Sequence, residues 1–302
     1  MSAFVLAIFG PTASGKSAVA EALAQRIDAE IVSADAMQAY RGLPILTNQP
    51  GRPTRLVGIW PLDHEGSVGE YQRLAHGAVD EILAAGRLPI VAGGTGLYLR
   101  AALAELELPP APPAGARARW ERLYDDEGGE RAHAALAVRD PAAAAAVHPN
   151  DRRRVVRALE LAEAGASLRP ARDRLWAEET RYPTLIVGLE VPPPILAERI
   201  EERTRAMVGR GVVAEARAAL AGDLSSPARK TMGLEEFATL PADEAVAAVA
   251  RMTRRYAAYQ RKWLRRVPGA VSVSADRPPD ATVDAILEVA RARQRLPAGR
   301  AG

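Results

Sequence analysis

Eight consecutive residues constrain this chain more than any other feature. Gly10-Pro11-Thr12-Ala13-Ser14-Gly15-Lys16-Ser17 satisfies G-x-x-x-x-G-K-[ST] in full. An apolar run, Phe4 to Phe9, precedes it, and a helical pattern, Lys16 to Ile27, follows. Strand, glycine turn and helix together make an anion cradle. The glycines let backbone amides turn inward, the helix N-terminus adds a positive dipole end, and Lys16 supplies a mobile point charge. Ser17 is placed to hold a magnesium ion that bridges two phosphates. A nucleoside triphosphate, ATP above all, is the usual occupant of such a loop; a diphosphate fits the same cradle.

The rest of the chain agrees with a sheet built around that loop. Glu30 to Ser33 and Leu88 to Ala92 are strand patterns, Leu56 to Trp60 is a weaker one, and Val68 to Ala85 is helical. Such alternation predicts a parallel sheet with helices on its faces. Leu108-Pro109-Pro110-Ala111-Pro112-Pro113 then breaks it, since prolines suit neither helix interior nor central strand. From Ala114 to Trp176 the pattern is helical, rich in Ala and Arg. A strand returns at Thr184 to Glu190, then a helix through Met207 with Pro194 in its first turn, a long amphipathic helix over 242–267, and a strand at Ala270 to Ser274. The expected fold is α/β: a P-loop NTPase-like parallel sheet core over 1–110 and 177–302, with an all-helical insertion over 111–176. The Pro/Gly/Arg-rich tail after Arg293 is expected to fray.

Composition narrows the setting. The chain has 302 residues, 48% of them hydrophobic, enough for a real core. It has no cysteine, which excludes disulfides and cysteine-based zinc sites and fits the cytoplasm. The four histidines, His64, His76, His133 and His148, have no metal-ligand spacing. The N-terminus carries no basic leader, and no stretch approaches the ~20 apolar residues a membrane span needs. Lys plus Arg is 40 against 37 Asp plus Glu, a net +3 too mild to identify a nucleic-acid binder alone. A monomer is the simplest expectation.

Two further loops fall at the same sheet edge as the phosphate loop. Asp35, in Ser33-Ala34-Asp35-Ala36-Met37-Gln38-Ala39-Tyr40, lies just past a strand's C-terminal end, where open α/β sheets bind ligands. Ala92-Gly93-Gly94-Thr95-Gly96-Leu97-Tyr98 ends the next strand, with small residues for close approach and a hydroxyl on Thr95. Singly, Asp35 suits a helix N-cap and Gly93-Gly94 an ordinary turn. Three loops converging on one edge argue for a site.

These segments resemble one family, the tRNA dimethylallyltransferases or tRNA isopentenyltransferases. Residues 10–17 look like their phosphate loop, Ser33 to Tyr40 like their S-x-D-S-x-x-x-Y, and Ala92 to Tyr98 like their G-G-T-x-L-Y. His148-Pro149-Asn150-Asp151 with Arg154, Arg157, Ala158, Leu159 and Glu160 is similar to H-P-N-D-x-x-R-x-x-R-A-L-E. Thr253-Arg254 through Gln260, Trp263 and Leu264 is similar to T-R-x-x-A-x-x-Q-x-x-W-L. The chain departs from the family at Ala36 (usually Ser), at Leu46-Thr47-Asn48-Gln49-Pro50 (usually G-T-A-K-P), and at Leu234-Glu235 after Gly233 (usually Y-[RK]).

The resemblance implies dimethylallyl diphosphate in the loop of Gly10, Pro11, Thr12, Ala13, Ser14, Gly15, Lys16 and Ser17, with magnesium near Ser17. It implies transfer of the prenyl group to the exocyclic amine of the adenosine at tRNA position 37, just 3′ of the anticodon. Asp35 would be the catalytic base, Thr95 would hold the same amine, and Thr12 and Arg203 would contact the diphosphate. Asp35, Ala36, Met37, Gln38 and Thr95 would form the acceptor pocket, and Arg117, Arg153, Arg154 and Arg157 would contact the tRNA anticodon stem-loop. On spacing alone, residues 152–157 suit an RNA contact and a solvated charged face equally well. The stretch 254–266, which mixes Tyr256, Tyr259 and Trp263 with arginines, suits RNA stacking, though Tyr256 and Trp263 equally suit helix core. Three other readings stay open: a P-loop small-molecule kinase, a prenyltransferase of free adenine nucleotides, and an RNA-binding protein without activity.

Overall fold

The computed structural model describes residues 3–108, 113, 115–168 and 174–293. Residues 109–112 of the proline run and the tail beyond Arg293 lie outside the described residues. The chain forms two compact units, Met1–Glu105 with Glu178–Gly302, and Leu106–Ala177.

The first unit begins with β1 (Val5–Phe9), buried along its whole length, and α1 (Lys16–Arg26). Strands covered on both faces read as unbroken apolar runs, as this one does. β2 (Ala29–Ser33) follows. Residues 34–66 then cross the sheet's C-terminal edge as irregular chain. The expected strand over 56–60 does not form. Arg55 makes a single bridge to Val32, after which Leu56 turns left-handed (φ 65°) and leaves the sheet. Trp60 instead packs on Tyr40 and His64 and donates to Glu70 Oε1 at 3.1 Å, so its indole is engaged inside this crossing. α2 (Val68–Ala84) is capped by Ser67, whose hydroxyl accepts from the Glu70 N–H. β3 (Leu88–Gly93) and α3 (Gly96–Leu103) complete this half.

The unit Leu106–Ala177 contains α4 (Ala116–Glu127), α5 (Gly129–Arg139), the short α6 (Pro141–Ala144) and α7 (Arg152–Glu163). They close on their own apolar cluster, which includes Leu136, Val147, Val155 and Leu159. The H-P-N-D segment is a turn and cap. His148 Nδ1 accepts from the Asn150 N–H at 3.1 Å, and Asp151 caps α7 through the Arg154 N–H at 3.1 Å.

The chain then returns to the sheet with β4 (Thr184–Glu190), followed by α8 (Pro193–Gly209), α9 (Val212–Leu220), α10 (Ser226–Arg229), α11 (Leu234–Thr239), α12 (Ala242–Leu264), β5 (Val271–Ser274) and α13 (Pro279–Ala292). The strand order is β2-β3-β1-β4-β5, and every pairing is parallel. β1 therefore sits at the centre and delivers the phosphate loop to the middle of the C-terminal edge. α12 lies close over this edge. A Cβ on Gly96 would fall 2.1 Å from Trp263 Cε3, and one on Gly188 would fall 2.5 Å from Leu264 Cδ1. The absent side chains let the helix approach. No helix among the described residues is long and apolar enough to cross a membrane.

Candidate active site

The phosphate loop turns through Ala13 (φ 63°) and Gly15 (φ 88°) into α1. Gly15 tolerates that conformation because it has no Cβ. Inside the loop, Lys16 Nζ donates to the Pro11 carbonyl at 2.8 Å. Burial lowers the Lys16 pKa from 10.5 to about 8; the charge of Asp35 opposes the fall and that of Arg203 adds to it. Ser14 Oγ and Arg203 Nε are buried and have no hydrogen-bond partner among the described residues. Such groups are rare in folded proteins, and an anion is a partner either could take.

Arg203 comes from α8. Its Nη2 donates to Thr12 Oγ1 at 2.7 Å. Burial pushes its guanidinium below its ordinary value, and the charge of Asp35 opposes that shift. Lys16 and Arg203 thus set two cations against one carboxylate in an enclosed site.

Asp35 and Thr95 arrive from the two neighbouring strands. Asp35 Oδ1 accepts from the Met37 N–H at 3.0 Å, and Thr95 Oγ1 accepts from the Ala36 N–H at 3.4 Å. Asp35 caps no helix; the residues after it form a turn. Gly93 is packed so tightly on Ala34 that a Cβ would fall 2.0 Å from its carbonyl oxygen, which holds the two loops together.

A cavity of about 340 Å³ opens between these loops. Thr12, Asp35, Thr95 and Arg203 bring polar groups to its lining, and Ala36, Met37, Leu46, Met207, Met232 and Val249 bring apolar ones. The structure therefore brings together the residues singled out as base, amine holder and diphosphate contacts. Gln38 is not among those lining residues. Its amide donates to the Thr47 and Asn48 carbonyls, 3.3 and 3.0 Å away, and braces the loop that supplies Leu46. Ser17, half-buried in the first turn of α1, lines a separate small recess with Ser33 and Gln38.

The four arginines proposed for RNA belong to the helical unit. Arg153 and Arg154 are exposed on α7. Arg157 Nη1 donates to Glu160 Oε2 at 3.0 Å, and Arg117 on α4 pairs with Glu121 at 3.3 Å.

Three further residues contribute in ways the sequence reading did not assign. Tyr256 lines the cavity rather than filling helix core. Burial pushes its hydroxyl up to about 12, the charge of Asp35 adds to the rise, and hydrogen bonds with Thr95 and Gln260 partly offset it. Gln260 joins the phosphate loop to the Gly94 loop. Glu215 on α9 accepts from the Ile45 and Leu46 N–H groups at 2.9 and 2.7 Å and fixes the wall that carries Leu46.

Comparison with known proteins bears on this arrangement. A family model described as IPP transferase matches residues 38–267, and one described as isopentenyl transferase matches residues 3–56. The tRNA dimethylallyltransferase of Salinispora arenicola is 42% identical over 277 residues, covering 87% of this chain and 80% of that protein. That of Streptomyces coelicolor is also 42% identical, covering 87% and 88%. The crystal structure of a full-length tRNA isopentenylpyrophosphate transferase from Bacillus halodurans superposes with a TM-score of 0.69 at 30% identity, covering 97% of each chain. A eukaryotic dimethylallyltransferase studied acting on tRNA shares the fold, with a TM-score of 0.74 at 23% identity over 99% of this chain and 82% of that one.

Proposed function

The chain belongs to the tRNA dimethylallyltransferase family, and we propose that it moves the dimethylallyl group of dimethylallyl diphosphate onto the exocyclic amine of adenosine 37 in tRNA. The observation that carries this reading is that one cavity is lined by Thr12 of the phosphate loop together with Arg203, Asp35 and Thr95.

The diphosphate lies against the backbone amides of residues 13–17, with Lys16, Thr12 and Arg203 as its side-chain partners. The orphaned Ser14 Oγ and Arg203 Nε support that placement. The adenine leaves its stack to reach the cavity, as a base must when chemistry is done on it. Its amine nitrogen attacks the allylic C1, the C1–O bond breaks, and diphosphate leaves with the bonding pair. Asp35 takes the amine proton, which a weak, delocalised nucleophile requires as the new bond forms. Thr95 holds the amine in line. Lys16 and Arg203 stabilise the charge that grows on the leaving group, where a buried site makes such donors most effective.

Magnesium fits as an ion carried by the diphosphate. Among the described residues no group of three or more His, Asp or Glu could hold a metal alone, and magnesium characteristically binds through substrate phosphates with few protein ligands. Ser17, which adjoins the phosphate loop in the first turn of α1 but is not among the residues lining the cavity, would hold it, and when bound it would neutralise part of the leaving-group charge. The lack of cysteine and the tRNA acceptor support a cytoplasmic setting, and a monomer is the simplest assembly.

The test mixes the protein, magnesium, radiolabelled dimethylallyl diphosphate and unmodified tRNA with adenosines at positions 36–38. Label is expected in tRNA with the wild type and largely lost with Asp35→Ala. Label in free AMP but not in tRNA would move the reading to a nucleotide prenyltransferase, and phosphoryl transfer from ATP would move it to a kinase.

A further inference from the structure

The carboxamide of Gln260 is 3% exposed, and both its ends are engaged. Oε1 accepts from the Thr12 N–H at 2.7 Å, and Nε2 donates to the Gly94 carbonyl at 2.8 Å. A donor on one side and an acceptor on the other admit one orientation of the amide. Glutamine is the only side chain of that length offering both groups; glutamate only accepts when ionised. The fit is close enough that a Cβ on Gly94 would stand 2.3 Å from Gln260 Nε2. Gly94 therefore has a steric reason to be glycine.

The two partners belong to different halves of the site. Thr12 lies in the loop assigned to the donor, and its hydroxyl holds Arg203. Gly94 immediately precedes Thr95, assigned to the acceptor amine. Tyr256, one turn earlier on α12, lines the cavity together with Thr12 and Thr95. The end of the same helix is pinned where Trp263 covers Gly96 and Leu264 covers Gly188. Gln260 thus spans the two loops from a helix anchored at the start of α3 and on β4.

We propose that Gln260 is a positioning residue that keeps the donor loop in register with the acceptor loop, acting through Thr12 and Gly94. The proposal rests on the dimethylallyl-transfer reading above. Its consequence is coupling. With the loops in register, the amine reaches the allylic carbon first. With the register slack, water competes: its oxygen bonds to C1, the C1–O bond to diphosphate breaks, the water proton passes to Asp35, and an allylic alcohol leaves beside diphosphate.

The experiment measures released diphosphate and prenylated tRNA in the same reaction. Wild type is expected to release one diphosphate per prenyl group transferred. Gln260→Met keeps the length and removes both hydrogen bonds. Its transfer rate should fall about 100-fold, the scale of a small misplacement of reacting groups. Its ratio of diphosphate to transfer should rise severalfold, with the donor KM little changed. Gln260→Glu keeps the acceptor for Thr12 and loses the donor to Gly94, so it should fall between the two. Circular dichroism and thermal unfolding of each variant give the folded fraction. A Gln260→Met enzyme whose ratio stays at one, losing transfer only in proportion to folded protein, overturns the proposal. A wild type that never labels tRNA overturns the functional reading and this inference with it.

Discussion

At the scale of single residues, the site is a few cations and hydroxyls arranged around one carboxylate. Asp35→Asn keeps the shape and removes the base, so transfer should fall about 10²–10⁴-fold, the usual contribution of a positioned acid or base. The donor KM should move little; a matched rise in KM would mean that Asp35 serves binding instead. Lys16 supplies a pH signature. Burial brings it to about 8, so it is mostly protonated at neutral pH and loses its charge as pH rises past 8. The kcat/KM for the donor should therefore decline on the alkaline side with an apparent pKa near 8, measured at saturating tRNA. Lys16→Arg, whose guanidinium does not titrate there, should lower the rate but abolish that decline. Lys16, Asp35 and Thr95 were legible in the sequence because each sits in a short motif at a strand end. Gln260 stood in a motif and Tyr256 in a basic aromatic stretch, but their roles were not legible, because their partners lie far away in the chain: Thr12 and Gln260 are 248 positions apart. Only packing brings them together, and no local pattern records it.

At the scale of elements, close approach decides the site. Gly96→Ala would place a methyl 2.1 Å from Trp263, so α12 must shift or the side chain must leave its place. Overpacking of this kind costs about 1–3 kcal/mol. Chemical denaturation should show that loss, and activity should fall further than stability because α12 carries Tyr256 and Gln260. The wall of the cavity answers to a different element. Glu215→Ala removes the acceptor for two backbone N–H groups of the loop at 45–46, and hydrogen bonds to a charged group are worth about 1.5–3 kcal/mol each. A measured loss under about 0.5 kcal/mol would mean the loop finds other partners. The main strands and long helices followed from apolar runs and helical periodicity. The strand over 56–60 did not, because Leu56 turns left-handed and the one buried residue of the run, Trp60, packs on Tyr40 and His64 rather than on a sheet face. A β-like run cannot reveal which of those it is for.

At the scale of the whole molecule, charge is nearly balanced at +3, so any RNA affinity must come from local clusters. If Arg153, Arg154 and Arg157 meet phosphates, replacing all three by Ala should raise the KM for tRNA and leave donor kinetics alone. The slope of log(kcat/KM) against log salt should then become shallower by about one unit for each phosphate that no longer has an arginine beside it. An unchanged slope would leave Arg153 and Arg154 as a solvated face and Arg157 to its ion pair with Glu160. The order of the sheet has a further consequence, for synthesis. β1 is the central strand, yet its neighbour β4 lies beyond the whole helical unit. A ribosome making ~5–20 residues per second needs several seconds to pass from the end of α3 to β4. Throughout that interval the nascent chain presents an apolar strand with one side unpaired, the kind of edge that recruits other chains. Slowing translation within codons 106–177 should therefore lengthen the vulnerable period and increase aggregation of newly made protein, without altering a residue of the finished enzyme.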